Sequence, residues 1–221
     1  MTAKVLTVAQ QKGGAGKTTL AVHLGVALSA LGCRLTLIDV DPQGSLTAWH
    51  HAREQARGPD GGKLDFQRLS GWRLPTTVER LAARRDIIVI DSPPHAEIDS
   101  RLAVRAADLV LVPVQPSPVD LWATGPTLEL ARAEGKSALL VINRMPARAN
   151  LAEEMVERLA VYKIAVARTT LGNRIAFAAS LNEGAGVTES APTSPAAEEI
   201  YRLAAEVLAM LSPARSGAKV R

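Results

Sequence analysis

Residues 11–19 read Gln-Lys-Gly-Gly-Ala-Gly-Lys-Thr-Thr, and this stretch decides the fold. An apolar run at residues 5–9 precedes it, and a run with helical character at residues 18–31 follows it. A glycine-rich turn between a strand and a helix presents backbone N–H groups beside the positive end of the helix, and both attract anions. The order of strand, turn and Gly-Lys-Thr therefore predicts a loop that binds the phosphates of a nucleoside triphosphate.

The loop departs from the usual phosphate-loop pattern at its first position. Gln11 stands where that pattern has glycine, and a second lysine, Lys12, follows it. We expect Lys17 to reach the β- and γ-phosphates and the Thr18 hydroxyl to ligate Mg²⁺. The predicted ATP-binding residues of the loop are Gly13, Gly14, Ala15, Gly16, Lys17, Thr18 and Thr19.

Apolar runs alternate with helical spacing along the rest of the chain. Continuous apolar runs, which are typical of buried parallel strands, occur at residues 5–9, 35–39, 87–91, 109–114 and 138–143, with a weaker one at 164–167. Helical spacing is found at residues 18–31, 76–84, 98–106, 119–133, 151–161 and 196–211. This alternation predicts an α/β fold, a single-domain P-loop NTPase with a mostly parallel twisted sheet flanked by helices on both faces.

Composition limits the classes of function. The single cysteine, Cys33, rules out an intrachain disulfide and favours a reducing compartment. No transmembrane segment is expected, because no uncharged apolar stretch approaches about 18 residues, and we expect a cytoplasmic protein. The net charge of +4 permits a polyanionic partner without requiring one. We expect an ATPase domain at residues 1–211 and a basic, disordered tail at 212–221. Residues 53–71 are the least regular part of the sequence.

Two acidic segments follow predicted strands. Residues 37–44 read Leu-Ile-Asp-Val-Asp-Pro-Gln-Gly, and residues 87–94 read Ile-Ile-Val-Ile-Asp-Ser-Pro-Pro. Ligands of open α/β sheets bind at the carboxyl ends of the strands, so Asp39, Asp41 and Asp91 are expected beside the phosphate loop. Asp91 suits a water-mediated contact with Mg²⁺, and Asp39 or Asp41 suits positioning of the attacking water. A lone strand-end aspartate often only caps a helix, but three beside a phosphate loop favour a nucleotide site.

The lysine-bearing loop, the Asp-x-Asp-Pro-Gln-Gly-Ser segment and the Ile-Asp-Ser-Pro-Pro segment together resemble the ParA/MinD family of deviant Walker ATPases. The proline-rich segment at residues 108–120 is similar to that of the small ParF-type partition proteins. The resemblance extends from residue 4 to about residue 211.

This resemblance implies an ATPase that uses ATP and Mg²⁺ and forms a homodimer on ATP binding. Lys12 matches the lysine that crosses to the partner's phosphates, where a second cation offsets the charge that builds during transfer. Asp41 matches a residue needed for hydrolysis, and Asp39 and Asp91 match the acids on the Mg²⁺ side. Asn143 matches the residue that reads adenine, with Arg144 as a stacking candidate, although Asn143 can also be a simple strand-end cap.

The resemblance further implies non-specific DNA binding, association with the nucleoid, and positioning of a plasmid, a chromosome locus or a protein cargo. A ParB-like or cargo adaptor protein would stimulate hydrolysis. Cations of the C-terminal half are the candidates for contacts with DNA phosphates, although each can equally be an ordinary solvated charge. They are Arg148, Lys163, Arg168 and Arg174.

Two other functions use the same loop. A MinD-like membrane-associated ATPase needs a basic amphipathic helix, whereas the predicted last helix has an acidic polar face with Glu198, Glu199 and Glu206. An ATP-dependent amide-forming enzyme of the dethiobiotin synthetase type would add a pocket for a small molecule. Lys12 and the Asp-Pro-Gln segment argue against that enzyme.

Overall fold

The computed structural model describes residues 2–58, 64–94, 98–147 and 151–212, which contain a seven-stranded sheet. Its order is β3-β2-β4-β1-β5-β6-β7, and each adjacent pair is parallel. The strands are β1 (Lys4–Val8), β2 (Leu35–Asp39), β3 (Asp65–Arg68), β4 (Ile87–Asp91), β5 (Leu109–Val114), β6 (Ser137–Ile142) and β7 (Ala165–Val166). The predicted fold class is confirmed.

Helices connect the strands and cover both faces of the sheet. They are α1 (Lys17–Ala30), α2 (Ser45–Arg57), α3 (Leu74–Ala82), α4 (Ile98–Ala106), α5 (Pro118–Ala133), α6 (Leu151–Leu159), α7 (Ile175–Asn182), α8 (Val187–Ser190) and α9 (Pro195–Leu211). Two 3₁₀ turns, Gly71–Arg73 and Ala160–Tyr162, adjoin α3 and α6.

The side chains of each strand alternate between two cores. One core packs α1 and α9 against residues such as Leu37 and Leu111. On the opposite face, α5 and α6 cover β5 and β6, while α3 and α4 cover β1, β2 and β4. Because the strands are buried on both faces, they read as the unbroken apolar runs seen in the sequence.

The described residues of the stretch 53–71, namely 53–58 and 64–71, have more regular structure than the sequence indicates. They include the end of α2, the edge strand β3 and a 3₁₀ turn. The inward stripe of α2 contains Arg53, which is buried and paired with Glu189 through two hydrogen bonds of 2.7 and 2.8 Å. A charged residue at a core position interrupts the apolar spacing by which a helix such as α2 is predicted. The edge strand β3 is largely polar, so its sequence gives only a weak indication of a strand.

Smaller differences concern the ends of elements and the tail. The helix predicted from residue 76 begins at Leu74, because Pro75 is compatible with the first turn of a helix. The last helix begins one residue before its predicted start. The predicted tail lies outside the described residues except for Ser212.

Candidate functional site

The loop between β1 and α1 adopts backbone conformations that require glycine. Gly14 and Gly16 have φ angles of 76° and 94°. A Cβ atom on Gly16 would lie 2.4 Å from Nδ2 of Asn143, so a side chain there would be both strained and obstructed. The Gly14 carbonyl accepts hydrogen bonds from Gln115 Nε2 at 2.8 Å and from an Arg144 guanidinium nitrogen at 3.2 Å. The ends of β5 and β6 therefore hold the loop in shape.

Lys17 begins α1 and points into the concave side of the loop. It is 7% exposed, and its Nζ lies 3.5 Å from the carbonyl oxygen of Lys12. Burial lowers the pKa of Lys17, while the carboxylates of Asp91 and Asp41 act to raise it. A buried lysine beside two acids can form an ion pair with an anion that enters the site.

Asp91 ends β4 beside α1 and is fully buried. The Thr18 hydroxyl donates to its Oδ2 at 2.6 Å, while Oδ1 has no hydrogen-bond partner among the residues that the structure describes. Burial raises the pKa of Asp91 to about 7, and the Thr18 hydrogen bond opposes that shift. An unsatisfied, buried carboxylate oxygen beside a threonine hydroxyl fits a site for a hydrated divalent cation.

Asp39 and Asp41 end β2 in different environments. Asp39 is fully buried: its Oδ1 accepts from the Asp41 backbone N–H at 3.0 Å, and its Oδ2 accepts from the Thr47 backbone N–H at 2.8 Å and the Thr47 hydroxyl at 2.6 Å. Asp41 accepts from the Gln43 backbone N–H at 2.9 Å and lines the cavity above the phosphate loop. Asp39 therefore holds the turn that presents Asp41.

Asn143 follows β6 and contacts the phosphate loop. Its Nδ2 donates to the Ala15 carbonyl at 3.0 Å, and its Oδ1 accepts from the Arg144 backbone N–H at 2.9 Å. An amide has two donors and two acceptor lone pairs, so one of each is left for a ligand. Arg144 has a φ of 54°, a conformation that costs a residue other than glycine about 1 kcal/mol and is found at functional sites.

Two cavities meet at this edge of the sheet. The first, of about 600 Å³, lies over the phosphate loop and contains Lys17, Thr18 and Asp41 in its lining. The second, of about 900 Å³, is lined by Asn143, Asn173 and Phe177, among others. Both include Thr19, Arg144 and Leu181 in their linings, so they adjoin each other. A cavity that contains Lys17 and Asp41 beside one that contains Asn143 and Phe177 fits the phosphates and the base of a nucleotide.

Lys12 lies outside the concave side of the loop and is held by α5. Its Nζ is 2.5 Å from Oδ2 of Asp120, and the two side chains are 32% and 1% exposed. Asp120 also accepts a hydrogen bond from the Ser117 hydroxyl at 2.5 Å. Within one subunit, therefore, this lysine pairs with a carboxylate of its own chain.

A polar row on α5 extends this contact. Thr124 and Thr127 follow Asp120 at helical spacing, and all three are buried. Gln10 Nε2 donates to the Thr124 hydroxyl at 3.4 Å, and Gln10 Oε1 accepts from the Thr127 hydroxyl at 2.9 Å. The sequence alone did not predict these contacts of Gln10, Thr124 and Thr127. The only sequence feature that could have indicated them is the pair of polar positions four and seven residues after Asp120 on the predicted helix.

Three of the four predicted DNA-binding residues lie within the described ranges, and Arg148 lies outside them. Lys163 precedes β7, and Arg168 follows it. Arg174 lines the second cavity and pairs with Glu199 at 2.6 Å, an ion pair that raises the pKa of its guanidinium.

Comparison with known proteins agrees with this geometry. The profile of the CbiA family, described as the CobQ/CobB/MinD/ParA nucleotide binding domain, matches residues 6–187. The chain is 31% identical over 212 residues to the maintenance of carboxysome distribution protein A of Halothiobacillus neapolitanus, covering 92% of this chain and 95% of the relative. It is 30% identical over 242 residues to the chromosome-partitioning ATPase Soj of Thermus thermophilus, covering 95% and 97%.

A solved structure shares the fold. The septum site-determining protein MinD of Pyrococcus horikoshii, complexed with Mg-ADP, superposes with a TM-score of 0.78 at 19% identity and covers 99% of this chain and all of the other. ATP and Mg²⁺, the cofactors expected from the sequence, are those of this family. No helix within the described ranges combines the length and apolar character needed to cross a membrane. The chain belongs to the CobQ/CobB/MinD/ParA family of nucleotide-binding domains, and within it to the ParA/MinD ATPases.

Proposed function

We propose that this protein is a positioning ATPase that dimerises on ATP, binds DNA without sequence preference and thereby associates with the nucleoid. A ParB-like or cargo adaptor protein would stimulate hydrolysis and release the dimer from DNA. The cargo would be a plasmid, a chromosome locus or a protein assembly. The names of the two relatives, one concerned with carboxysome distribution and one with chromosome partitioning, support this class of function.

The residues fit Mg²⁺ and a triphosphate. In the proposal, the N–H groups of residues 13–19 and Lys17 bind the β- and γ-phosphates, and Thr18 ligates the ion. Asp91 would hold a water of that ion, which the unsatisfied Oδ1 supports. When bound, Mg²⁺ would neutralise charge on the phosphates.

Asp41 is the proposed catalytic residue that orients the attacking water. It lines the cavity over the loop, whereas its neighbour Asp39 uses both carboxylate oxygens on the turn. We therefore assign Asp39 as a positioning residue that acts through Asp41. Asn143, with one donor and one acceptor left, would read the edge of adenine, and Arg144 would stack on the base.

The observation that carries the proposal is the position of Lys12. A phosphate-loop lysine that pairs with Asp120 and does not line the cavity over its own loop can exchange that partner for a phosphate supplied from another subunit. Moving Lys12 from Asp120 to the partner's phosphates would make ATP binding and dimerisation a single event. The charge it adds there would offset charge that develops during phosphoryl transfer.

The experiment is retention of the protein on random-sequence double-stranded DNA with ATP and Mg²⁺, with ADP, and without nucleotide. We expect retention with ATP only, decreasing steeply with salt because contacts with phosphates release counterions. Asp41→Ala should remain on DNA with ATP, since it would bind nucleotide without turning it over. Asp86→Ala, which changes an exposed carboxylate that pairs with Arg34, is the control and should cycle normally.

Two outcomes would contradict the proposal. Equal retention with ADP and ATP would mean that the positive charge of the chain, and not a nucleotide switch, binds DNA. Absence of retention under all three conditions, with ATP turnover that depends on an added small amine or carboxylic acid, would favour the amide-forming enzyme.

A further inference from the structure

Three arginines surround a concavity at the β3 edge of the sheet, opposite the edge formed by β7. Arg68 ends β3, Arg73 ends the following 3₁₀ turn, and Arg80 lies in the last turn of α3. All three are exposed and line a cavity of about 410 Å³ together with Trp72, Thr76 and Thr77. We call this the α3 basic surface.

None of these three arginines forms an ion pair with a carboxylate of the described ranges. Arg68 donates to the Pro42 carbonyl at 3.1 Å, Arg80 donates to Gln67 Oε1 at 3.1 Å, and Arg73 lies 5.5 Å from the centre of the Trp72 ring. Other arginines of the chain do pair with acids; examples are Arg34, Arg85, Arg101, Arg105, Arg174 and Arg202. Three unpaired guanidinium groups around one concavity attract an anion.

The acid nearest in sequence does not share this face. Glu79 precedes Arg80 by one residue, which separates the two side chains by about 100° around α3. It does not line the cavity.

Two of the C-terminal candidates, Arg168 and Arg174, have a less favourable environment. Glu199 neutralises Arg174, and Glu206 accepts hydrogen bonds from the backbone N–H groups of Arg168 and Thr169. These carboxylates would repel DNA phosphates next to the cations that are meant to bind them.

We propose that the α3 basic surface binds the phosphates of double-stranded DNA. This proposal rests on the proposed function and names the surface that carries out its DNA-binding step. Guanidinium groups match phosphate geometry with two parallel hydrogen bonds, and the Thr76 hydroxyl adds a neutral donor. Arg73 and Arg80 are seven residues apart, about 10 Å along a helix, whereas each DNA strand carries a charge every 3.4 Å or so along the duplex axis. We therefore expect the two arginines to contact separate phosphates of one strand.

The surface also contacts the nucleotide site. The carbonyl that Arg68 binds belongs to Pro42, the residue after Asp41. A Cβ atom on Gly44 would lie 3.3 Å from the Arg68 guanidinium carbon, so this side chain rests on the Asp41 turn. A DNA phosphate that binds Arg68 would thus affect the turn that presents Asp41. DNA binding and the state of the nucleotide would be coupled through this turn.

The test compares two double variants with the same loss of charge. Arg73→Gln with Arg80→Gln removes two contacts from the surface, and Arg101→Gln with Arg202→Gln is the control on paired arginines. Arg68 stays in place because it supports the Asp41 turn. DNA affinity is measured with ATP and Mg²⁺ at salt concentrations from about 0.05 to about 0.2 M. Dimerisation by light scattering and basal ATP turnover check that each variant is folded.

Each lost phosphate contact should reduce the slope of log affinity against log salt by about 0.9. The surface variant lacks two arginines in each subunit, so its slope should fall by about 2, and its affinity at about 0.1 M salt by about 60-fold, for each subunit of the dimer whose surface contacts DNA. Dimerisation and basal turnover should be unchanged. The control should keep the slope of the wild-type protein.

The outcomes separate this proposal from the proposed function. If the wild-type protein binds DNA with ATP and the surface variant has the same slope, the surface proposal is wrong and the ATPase proposal stands. The same conclusion follows if the surface variant keeps its DNA affinity but loses binding to an acidic peptide such as poly-glutamate, because the surface would then serve a protein partner. If the wild-type protein does not bind DNA with ATP, the proposed function itself fails in its DNA-binding step.

Discussion

At the residue scale, Lys12 has two alternative partners. Within one subunit it pairs with Asp120, whose side chain is almost fully buried. In the proposed dimer it would pair with the phosphates of the other subunit. The two contacts compete for one ammonium group, so weakening the first should favour the second.

Asp120→Asn is therefore expected to strengthen the ATP-bound dimer. A hydrogen bond to a charged group contributes about 1.5–3 kcal/mol, and every 1.4 kcal/mol or so is tenfold in an equilibrium constant. We expect the dissociation constant of the dimer to fall at least about tenfold, as measured by light scattering over a range of protein concentrations. Asp86→Asn, which weakens the exposed pair with Arg34, should leave it unchanged. A weaker or unaltered dimer in Asp120→Asn would show that this contact does not restrain Lys12.

Gly16 gives a second prediction at this scale. Gly16→Ala places a Cβ atom 2.4 Å from Nδ2 of Asn143 at a φ of 94°, so the loop must distort. We expect at least a tenfold loss of ATP affinity in isothermal titration calorimetry. Gly13→Ala is the matched change, because its Cβ atom meets nothing within 4 Å and should be better tolerated. ATP affinity of Gly16→Ala equal to that of the wild-type protein would contradict the assigned role of the loop.

The phosphate loop was predictable because its residues are adjacent in sequence. Asp120 and Gln115 were not, since they approach the loop from segments about 100 residues away and no local pattern marks the contact. The position of Asp41 in the lining of the cavity and the complete burial of Asp39 were also beyond the sequence, which left open which of them positions water.

At the scale of elements, the strands were predicted well and the polar connections less so. β2, β4 and β5 have the predicted bounds because each is buried on both faces. α2 was missed because its inward stripe includes Arg53, whose pairing with Glu189 exists only after α8 has packed against it. Tertiary pairing of this kind leaves no periodic signal in the sequence.

His23 connects three helices and gives a pH prediction. It lies in α1 and is 1% exposed; its Nε2–H donates to the Phe177 carbonyl of α7 at 3.1 Å, and its Nδ1 accepts from the Val187 backbone N–H of α8 at 3.0 Å. Only a neutral ring can make both contacts. Burial lowers the pKa of His23 to about 4.

The unfolded chain takes up a proton at this histidine near pH 6.5, whereas the folded chain does so only near pH 4. The contribution of neutral His23 to the free energy of unfolding is thus fully present above about pH 6.5. It is lost as the pH falls towards 4, by about 3 kcal/mol in total. Denaturant unfolding between those pH values should show a weaker pH dependence for His23→Gln than for the wild-type protein. His51→Gln changes an exposed histidine and should keep the wild-type dependence. The same dependence in all three proteins would contradict the buried neutral state.

At the scale of the whole molecule, the parallel sheet brings the ends of β1, β2, β4, β5 and β6 to one edge, where the two adjoining cavities lie. The fold class followed from the alternating pattern of apolar runs and helical spacing, whereas the order of the strands in the sheet is known only from the structure. The pairing of charges could not be predicted from the sequence, since only the structure distinguishes arginines paired with acids from the unpaired ones of the α3 basic surface.

The most direct test of the account is the molar mass of the protein in ATP and Mg²⁺, measured by size exclusion with light scattering. We predict a dimer for the wild-type protein and for Lys4→Ala, whose lysine forms an exposed pair with Asp108, and a monomer for Lys12→Ala. Binding of ADP to Lys12→Ala should remain close to that of the wild-type protein. A dimer of Lys12→Ala that forms with ATP as readily as the wild-type dimer would contradict the proposed exchange of lysines between subunits.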